Sequence, residues 1–418
     1  MLDPAGQRLA RRLGLVETTA IAIGSMVGAG VYVSAGVAAG MTGSSLLLAV
    51  LLGAGVATLN GLSAAELGVD DPHAGGAYRF GRRLVAPIVG FVAGWLALVA
   101  TLTAGATYAL TFAAYLEPIL PDVPPRAIGV TLLLATVAIN GLGVRLSARA
   151  NLVLVVINLM ILVTFVALAL TVFDPSRLRP FFSHGIGGLL QASALLFFAY
   201  SGYARPVTIV EEVREPRTTL PRAVAAALGI TATLYLGVAL AALGALGPER
   251  MGEEMAPLRA AMEATGNPVA APLLSAGALV ATSTVLLTDI WGVSRLAFAM
   301  AREGDIPRWF GRLSEPERIP RNAVYAAGAI LVVLAGALDL RPALEASSLA
   351  LLIYYGIMNA SALRLPPRRR LYPPAIPAAG LAGCALLALS LPALMLLAIL
   401  GVVLVGLAYY ALRRRRHG

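Results

Sequence analysis

Two short segments, GSMVGAG at residues 24–30 and FAYSGYARP at residues 198–206, interrupt long apolar stretches of this chain. Glycine and proline weaken an α-helix, and an unwound backbone inside a bilayer leaves N–H and C=O groups without partners. Membrane proteins keep such interruptions only where they are buried in protein or line a cavity. Two interruptions at matching places in two halves of a chain therefore predict a binding site near the middle of the membrane.

The composition is that of a polytopic membrane protein. Of the 418 residues, 58% are hydrophobic and 13% are charged, whereas soluble proteins carry roughly 25% charged residues. Hydropathy predicts about twelve membrane-spanning helices, which makes the chain all-α. The approximate cores of these spans are residues 15–40, 44–68, 85–116, 126–143, 150–173, 186–210, 221–246, 269–300, 322–338, 343–363, 374–390 and 392–411.

The net charge of +10 comes from arginines that are concentrated in every second loop. The positive-inside rule places these loops and both termini on the cytoplasmic side of the membrane. We expect this membrane to be the inner, cytoplasmic membrane of the cell. Because the basic charge is spread over short loops, the sequence does not indicate a nucleic-acid-binding surface. The clusters lie within residues 8–12, 79–83, 145–149, 214–222, 302–321, 364–370 and 413–416.

The interruptions fall in the first and the sixth predicted spans, which predicts two inverted repeats in a single transport domain, residues 1–418. Repeats of five spans have opposite orientations in the membrane because five is an odd number. The first repeat covers residues 14–173 and the second covers residues 185–363. The last two spans, residues 374–412, lie outside the repeats and are expected to serve packing or homodimer contact; a monomer is the other expectation.

Each interruption exposes helix ends of opposite polarity. In the first, the carbonyls of residues 23–25 end one half-helix and the amides of residues 29–31 begin the next. Helix N-termini attract anions and C-termini attract cations, so the pair matches the carboxylate and ammonium groups of an α-amino acid. The alternative for this segment is close helix packing, because Gly24 and Gly28 form a GxxxG pattern.

The motifs around the interruptions resemble those of the amino acid–polyamine–organocation superfamily. The segment GSMVGAGVY at residues 24–32 is similar to the signature of its first span. Other similar blocks are GGAY at residues 75–78, FFAYSGY at 197–203, EEVREPR at 211–217, LPRA at 220–223, GVSR at 292–295 and AMAREGDIP at 299–307.

This resemblance implies a LeuT-like fold of five plus five spans with broken first and sixth spans, and the transport of amino acids or related amines. It implies that the amides of residues 28–30 bind the substrate carboxylate. Carbonyls near Ile23 and residues 198–201 would bind the amine. The candidate substrate-binding residues are Ile23, Ser25, Gly28, Ala29, Gly30, Phe198, Ala199, Tyr200, Ser201 and Tyr203.

Two charged residues within predicted spans are candidates for gating or coupling. Arg205 follows Ala204, where many members of the superfamily carry an acid, and a positive charge facing the site would disfavour cationic substrates. The alternative is that Arg205 snorkels towards water or pairs with Asp289. Asp289 itself is a costly intramembrane carboxylate, so we expect either a coupling role or an ion pair with Arg205 or Arg295.

Two further candidates are Asn158 and Glu66. Asn158 matches a position where some proton-coupled relatives carry a lysine. An amide cannot carry a proton, which excludes that route but leaves sodium coupling, exchange and facilitated uptake open. We expect Glu66 to join a charge network with Arg79 or Arg295 at the cytoplasmic gate.

The sequence thus predicts a secondary permease that moves amino acids by alternating access. Uncharged pocket candidates favour neutral amino acids, by ion-coupled symport or exchange, and the alternative is a cationic amino acid or polyamine transporter. H⁺ or Na⁺ is the expected coupling ion, with no other cofactor. A membrane enzyme is disfavoured because the predicted spans carry no histidine and no paired carboxylates, and a channel because the two interruptions are not equivalent.

Overall fold

The computed structural model describes residues 13–72, 75–143, 148–208, 210–315 and 319–415. The predicted basic stretch before residue 13, with Arg145, Arg318 and Arg416, lies outside these residues. The described chain is helical, and its β-structure consists of two isolated bridges. The α-helices are α1 (Leu15–Met26), α2 (Ala29–Thr42), α3 (Leu46–Asp70), α4 (Gly76–Leu84), α5 (Pro87–Leu116), α6 (Pro125–Gly141), α7 (Ala148–Ala169), α8 (Gly185–Tyr200), α9 (Arg205–Thr208), α10 (Pro216–Leu246), α11 (Pro248–Glu253), α12 (Pro257–Glu263), α13 (Ala270–Arg302), α14 (Arg321–Ala337), α15 (Leu340–Ala362), α16 (Ala375–Ser390) and α17 (Ala393–Arg415).

Eight segments of the described chain are long and apolar enough to cross a membrane. They are residues 29–70, 87–116, 150–172, 185–207, 216–246, 270–302, 340–362 and 393–413. Four shorter apolar helices, α1, α6, α14 and α16, add to these. Each of the twelve predicted spans coincides with a helix or with a pair of helices separated by an interruption. The all-helical, polytopic prediction is therefore confirmed.

Proline and glycine set many of the helix boundaries. Proline fits the first position of a helix because its missing N–H has no intrahelical acceptor there. Gly43 and Gly247 lie at the ends of α2 and α10 with φ of 66° and 80°, a conformation that few other residues adopt. The helices that begin with proline are α5, α6, α10, α11 and α12.

The interrupted segments lie at the centre of the helix assembly. The helix after the first interruption, α2, packs along α8, and α3 packs between α8 and α10. On the other side, α15 packs against α5, and α16 covers α3 and α15. One large cluster of buried apolar side chains runs through these contacts. The helices that carry the two interruptions are therefore held against each other by most of the core.

A short amphipathic helix, α4, was not among the predicted elements. It buries Tyr78 and Phe80 on one face and carries arginines on the other. Arg82 pairs with Asp305 at 2.6 Å, and the hydroxyl of Tyr78 donates to the same carboxylate at 2.7 Å. These bonds tie α4 to the turn that follows α13. The alternation of apolar and basic residues was the available signal, in a segment too short for a hydropathy window.

Candidate functional site

The first interruption consists of two residues. Val27 and Gly28 have non-helical backbone conformations, with φ and ψ of −80° and 67° for Val27 and −120° and −143° for Gly28. The amide of Gly28 donates to the Met26 carbonyl at 2.8 Å, which turns the chain between α1 and α2. The first amides of α2, at residues 29–31, have no acceptor within their own helix. They form a positive helix N-terminus in the protein interior.

The second interruption is a change of helix type. A 3₁₀ turn, Ser201–Ala204, separates α8 from the single turn α9. The two interruptions pack backbone against backbone at two glycines. A Cβ on Gly30 would lie 2.8 Å from the Cα of Ala199, and a Cβ on Gly202 would overlap the carbonyl of Ser25. Only glycine permits this approach, which brings the C-terminus of α8 beside the N-terminus of α2.

A small, partly open cavity lies between the two interruptions. Seven of the ten predicted substrate-binding residues line it. They are Ser25, Gly28, Ala29, Gly30, Phe198, Ala199 and Ser201. The predicted segments therefore meet around one space, which is lined by residues from the N-terminus of α2 and from the C-terminal ends of α1 and α8.

The other three predicted residues do not line this cavity. The carbonyl of Ile23 accepts a hydrogen bond from the Val27 amide at 2.7 Å. The hydroxyl of Tyr200 donates to the Val50 carbonyl at 3.3 Å, so its side chain extends towards α3. The ring of Tyr203 packs against Tyr355, 4.9 Å between centroids. Tyr200, the last residue of α8, and Tyr203, within the 3₁₀ turn, therefore direct their side chains to α3 and α15.

Three cavity residues, Met26, Tyr108 and Val285, were missed by the sequence prediction. Tyr108 on α5 lies 5.6 Å from the ring of Phe198 and forms an aromatic wall with it. The threonine just before it, Thr107, donates to a carbonyl of its own helix. No pattern in α5 separated Tyr108 from its neighbours; only the packing of α5 against the interruptions identifies it.

A tyrosine on α10 connects the two interruptions. The hydroxyl of Tyr235 donates to the Met26 carbonyl at 2.7 Å, and the Ala199 carbonyl lies 3.2 Å from the same oxygen. One buried hydroxyl thus contacts the last carbonyl of α1 and a last-turn carbonyl of α8. The sequence offered no signal for this role, because Tyr235 is one aromatic residue within a long apolar helix.

Asn158 on α7 lies at the first interruption. Its side-chain amide donates to the Val27 carbonyl at 2.9 Å and accepts from the Tyr32 hydroxyl at 2.5 Å. All three residues are buried. Asn158 therefore holds the unwound backbone from outside the cavity, with a neutral group and a fixed hydrogen-bonding direction.

Arg205 and Asp289 form a pair at the N-terminus of α9. The guanidinium lies 3.9 Å from the carboxylate, with 39% and 22% of the two side chains exposed. The pairing of Arg205 with Asp289, one of the predicted alternatives, is present. Neither residue lines the cavity, and both side chains are partly exposed.

The prediction that Glu66 joins a charge network with Arg79 or Arg295 is wrong. Its carboxylate is buried and accepts from the amides of Leu371 and Tyr372, at 2.5 and 3.1 Å. Arg79 pairs instead with Asp71 at 2.8 Å. Arg295 stacks over the ring of Trp291 at 4.3 Å. The two amides take the place of the expected arginine as partners of the carboxylate. Glu66 therefore holds the loop before α16 in place.

The site can recognise charged groups of a ligand through backbone amides and carbonyls. Helix N-terminal amides bind anions and C-terminal carbonyls bind cations. Among the described residues that line the cavity, none has a charged side chain that would outweigh these partial charges. Within the described residues, no group of three or more His, Cys, Asp or Glu side chains could hold a metal ion.

The chain is similar to known transporters over nearly its whole length. Residues 13–413 match the family model described as amino acid permease. An uncharacterized transporter of Mycobacterium tuberculosis is 40% identical over 99% of this chain and 94% of its own length. The branched-chain amino acid permease BcaP of Bacillus subtilis is 24% identical, covering 98% of this chain and 94% of its own.

A similarity that covers less of either chain extends to animals. Cationic amino acid transporter 4 of Mus musculus is 28% identical over 85% of this chain and 60% of its own length. Family and relatives are transporters, which excludes the membrane-enzyme alternative. The resemblance to the amino acid–polyamine–organocation superfamily is confirmed, and this chain belongs to the amino acid permease family of membrane transporters.

Proposed function

We propose that this protein is a secondary transporter of neutral amino acids, with the cavity between the two interruptions as its substrate site. The carboxylate of the substrate binds the amides at the start of α2. Its ammonium group binds the carbonyls at the ends of α1 and α8. The observation that carries this proposal is the meeting of these oppositely polarised helix ends across one small cavity.

The architecture proposed for transport has twelve spans, with α1 to α7 and α8 to α15 as inverted repeats. Residues 14–173 and 185–363 form the repeats, and α16 and α17 lie outside them. Both termini lie in the cytoplasm and the protein in the cell membrane. Alternating access arises when the interrupted helices rock against the other spans, by ion-coupled symport or by exchange.

Neutral substrates are favoured by the charges around the cavity. Among the described residues that line it, none is acidic. The nearby Asp289 is paired with Arg205, so its charge is largely compensated. A cationic amino acid would bring a second positive charge without a partner. The name of the B. subtilis relative, a branched-chain amino acid permease, agrees with this substrate class.

A cationic amino acid or polyamine transporter is the second candidate. It is supported by the similarity to transporters named for cationic amino acids. In that case Asp289 would exchange its pairing with Arg205 for the substrate's distal charge. The two candidates therefore differ in the partner of Asp289 when substrate is bound.

Asn158 and Asp289 carry the proposal for coupling. The Asn158 amide cannot take up a proton, so proton coupling through this position is excluded. Asp289 is the candidate for sensing H⁺ or Na⁺, because it is a carboxylate that is partly exposed beside the site.

The test is uptake by the purified protein in proteoliposomes. Labelled leucine, alanine, arginine and putrescine are supplied with and without gradients of pH and sodium. We expect uptake of the neutral amino acids and stimulation by one ion gradient or by internal amino acid. Uptake of arginine or putrescine alone would support the second candidate, and no uptake of any amine would overturn both.

A glycine pair tests the site itself. At Gly28 a Cβ would lie 2.6 Å from the Val285 side chain across the cavity, so Gly28→Leu fills the space. At Gly55 on α3 a Cβ would meet no atom within 4 Å, which makes Gly55→Leu the matched control. We expect Gly28→Leu to insert and to abolish uptake, with normal uptake by the control. Normal uptake by Gly28→Leu would contradict the assignment of the cavity.

A further inference from the structure

A chain of buried polar side chains runs from α16 to the wall of the cavity. The side-chain amide of Asn60 on α3 donates to the thiol sulfur of Cys384 on α16 at 3.1 Å. Asn359 on α15 donates to the oxygen of the Asn60 amide at 2.6 Å and to the Tyr355 carbonyl at 3.0 Å. All of these residues are buried.

The chain ends on the backbone of a residue that lines the cavity. The hydroxyl of Tyr355 donates to the carbonyl of Ser201 at 2.7 Å. Ser201 begins the 3₁₀ turn after α8 and lines the cavity. The orientation of its carbonyl is therefore set by a hydroxyl on α15, whose own helix turn is held by Asn359.

A contribution to folding stability does not explain why these buried side chains are polar. The Oδ1 atom of Asn359 is buried and has no hydrogen-bond partner. The hydroxyl of Tyr203 lies near Asn60 and Tyr355 without a well-formed hydrogen bond to either. An incompletely satisfied polar cluster is less stable than an apolar one of the same shape. A role in fixing geometry accounts for polar side chains here.

Helix α16 approaches the cluster through a glycine. A Cβ on Gly380 would lie 2.7 Å from Asn359 Oδ1 and 2.9 Å from Asn60 Oδ1. The helix therefore contacts the cluster from outside the two repeats, through Gly380 and Cys384 together. From its sequence alone, this segment is expected to serve packing or dimer contact.

We infer that the Asn60–Asn359–Tyr355 chain, supported by α16, positions the Ser201 carbonyl to recognise the substrate's amino group. The inference rests on the proposed function, because it assigns one carbonyl of the proposed ammonium site. These side chains are positioning residues that act through Ser201. A loose Ser201 carbonyl would weaken binding of an ammonium group and have little effect on the carboxylate.

The first test compares two ligands that differ only in the amine. Uptake of a transported neutral amino acid gives its KM, and competition by the α-hydroxy acid of the same side chain gives an inhibition constant. We expect Tyr355→Phe to raise the KM about tenfold, the order expected when a hydrogen bond near a charged group is lost. The inhibition constant of the hydroxy acid should change less than twofold.

The matched control is Tyr354→Phe. The hydroxyl of Tyr354 accepts from the amide of Ala77 at 3.1 Å, so this variant also loses one hydrogen bond of α15, away from Ser201. We expect unchanged constants for both ligands. Equal changes for both ligands in Tyr355→Phe, or no change, would overturn the inference even though the wild type transports amino acids.

The second test separates positioning from folding. In Asn60→Leu/Asn359→Leu both polar partners become apolar, so we expect a melting temperature in detergent at or above that of the wild type. The KM for the amino acid should still rise. Gly380→Ala should raise it as well, while Gly401→Ala on α17, where a Cβ meets no atom within 4 Å, should not. A lower melting temperature with an unchanged KM would show a structural cluster and overturn the inference. If the wild type transports no amino acid, that result contradicts the proposed function itself, before any variant is compared.

Discussion

The side-chain amide of Asn158 donates a 2.9 Å hydrogen bond to the carbonyl of Val27, at the point where the first helix is interrupted. Val27 belongs to neither α1 nor α2, so its carbonyl has no regular helical partner. The bond from α7 supplies one. A neutral side chain thus stabilises the unwound backbone without adding charge to the membrane interior.

Removing this amide should impair transport strongly. We expect Asn158→Leu to lower the rate of uptake by about 5- to 150-fold, because the loss of a buried hydrogen bond costs about 1–3 kcal/mol. Asn140→Leu is the control, since the amide of Asn140 donates to carbonyls of α6 and α13 away from the interruptions. Initial rates are measured in proteoliposomes with equal amounts of protein. Wild-type uptake by Asn158→Leu would show that this bond is dispensable.

The close approach of Gly202 to Ser25 leads to a second prediction. A methyl group at Gly202 would collide with the Ser25 carbonyl, so Gly202→Ala must separate the two interruptions. We expect loss of uptake with normal insertion. Gly229→Ala on α10 is the control, because a Cβ there meets no atom within 4 Å. Both variants are compared by labelled uptake and by gel filtration in detergent. Active Gly202→Ala protein would mean that the contact opens during transport at no cost.

The Tyr235 hydroxyl provides a finer change at the same place. Tyr235→Phe keeps the ring but removes the donor that contacts the Met26 and Ala199 carbonyls. A hydrogen bond contributes about 1 kcal/mol, so we expect the KM to rise about fivefold. Tyr325→Phe, at a side chain that is 53% exposed, should leave it unchanged. The substrate dependence of uptake measures both, and a wild-type KM for Tyr235→Phe would contradict the role given to the hydroxyl.

Asp289 is predicted to act in coupling. Asp289→Asn removes the charge that faces Arg205 and should reduce the stimulation by an ion gradient more than it changes substrate affinity. The control is Asp339→Asn, which breaks the exposed pair of Asp339 with Arg126. Exposed pairs contribute little, so the control should behave as wild type. The measurement is uptake as a function of the gradient. An unchanged ion response would remove Asp289 from the mechanism.

Glu66 yields a prediction about stability. In Glu66→Ala, the amides of Leu371 and Tyr372 lose their acceptor, and we expect destabilisation by about 1–3 kcal/mol. Glu66→Gln retains an acceptor oxygen and should lose less. Thermal unfolding in detergent ranks the two variants. Equal melting temperatures would show that the loop before α16 is held by other contacts.

Much of the fold could be predicted because its signals are local. Apolar stretches long enough to cross a bilayer located the long helices, and glycine and proline located the interruptions at residues 24–30 and 198–206. Gly30 was predicted as a substrate-binding residue, but the close approach of Gly30 to Ala199 and of Gly202 to Ser25 is known only from the packing.

Residues that join the site from other helices carried no such signal. Tyr108 and Tyr235 contact the cavity or its backbone from α5 and α10, and Asn158 on α7 was a candidate only because its position matches a lysine of some relatives. Each stands in an apolar helix that would form equally well without it, so periodicity could not single it out. The partner of Glu66 was wrong for a related reason. The negative charge of Glu66 led us to expect an arginine partner. Its carboxylate instead accepts hydrogen bonds from two backbone amides of a loop that is distant in the sequence.

The sequence by itself determined that this chain is an all-helical membrane protein with two interrupted helices, because hydrophobic length and helix-breaking residues act within a few turns of the chain. Only the tertiary structure decided which side chains reach those interruptions, and that Tyr200 and Tyr203 turn away while Tyr108 lines the cavity. The physical reason is that contacts between helices depend on rotation and depth. Residues far apart in the chain set these together.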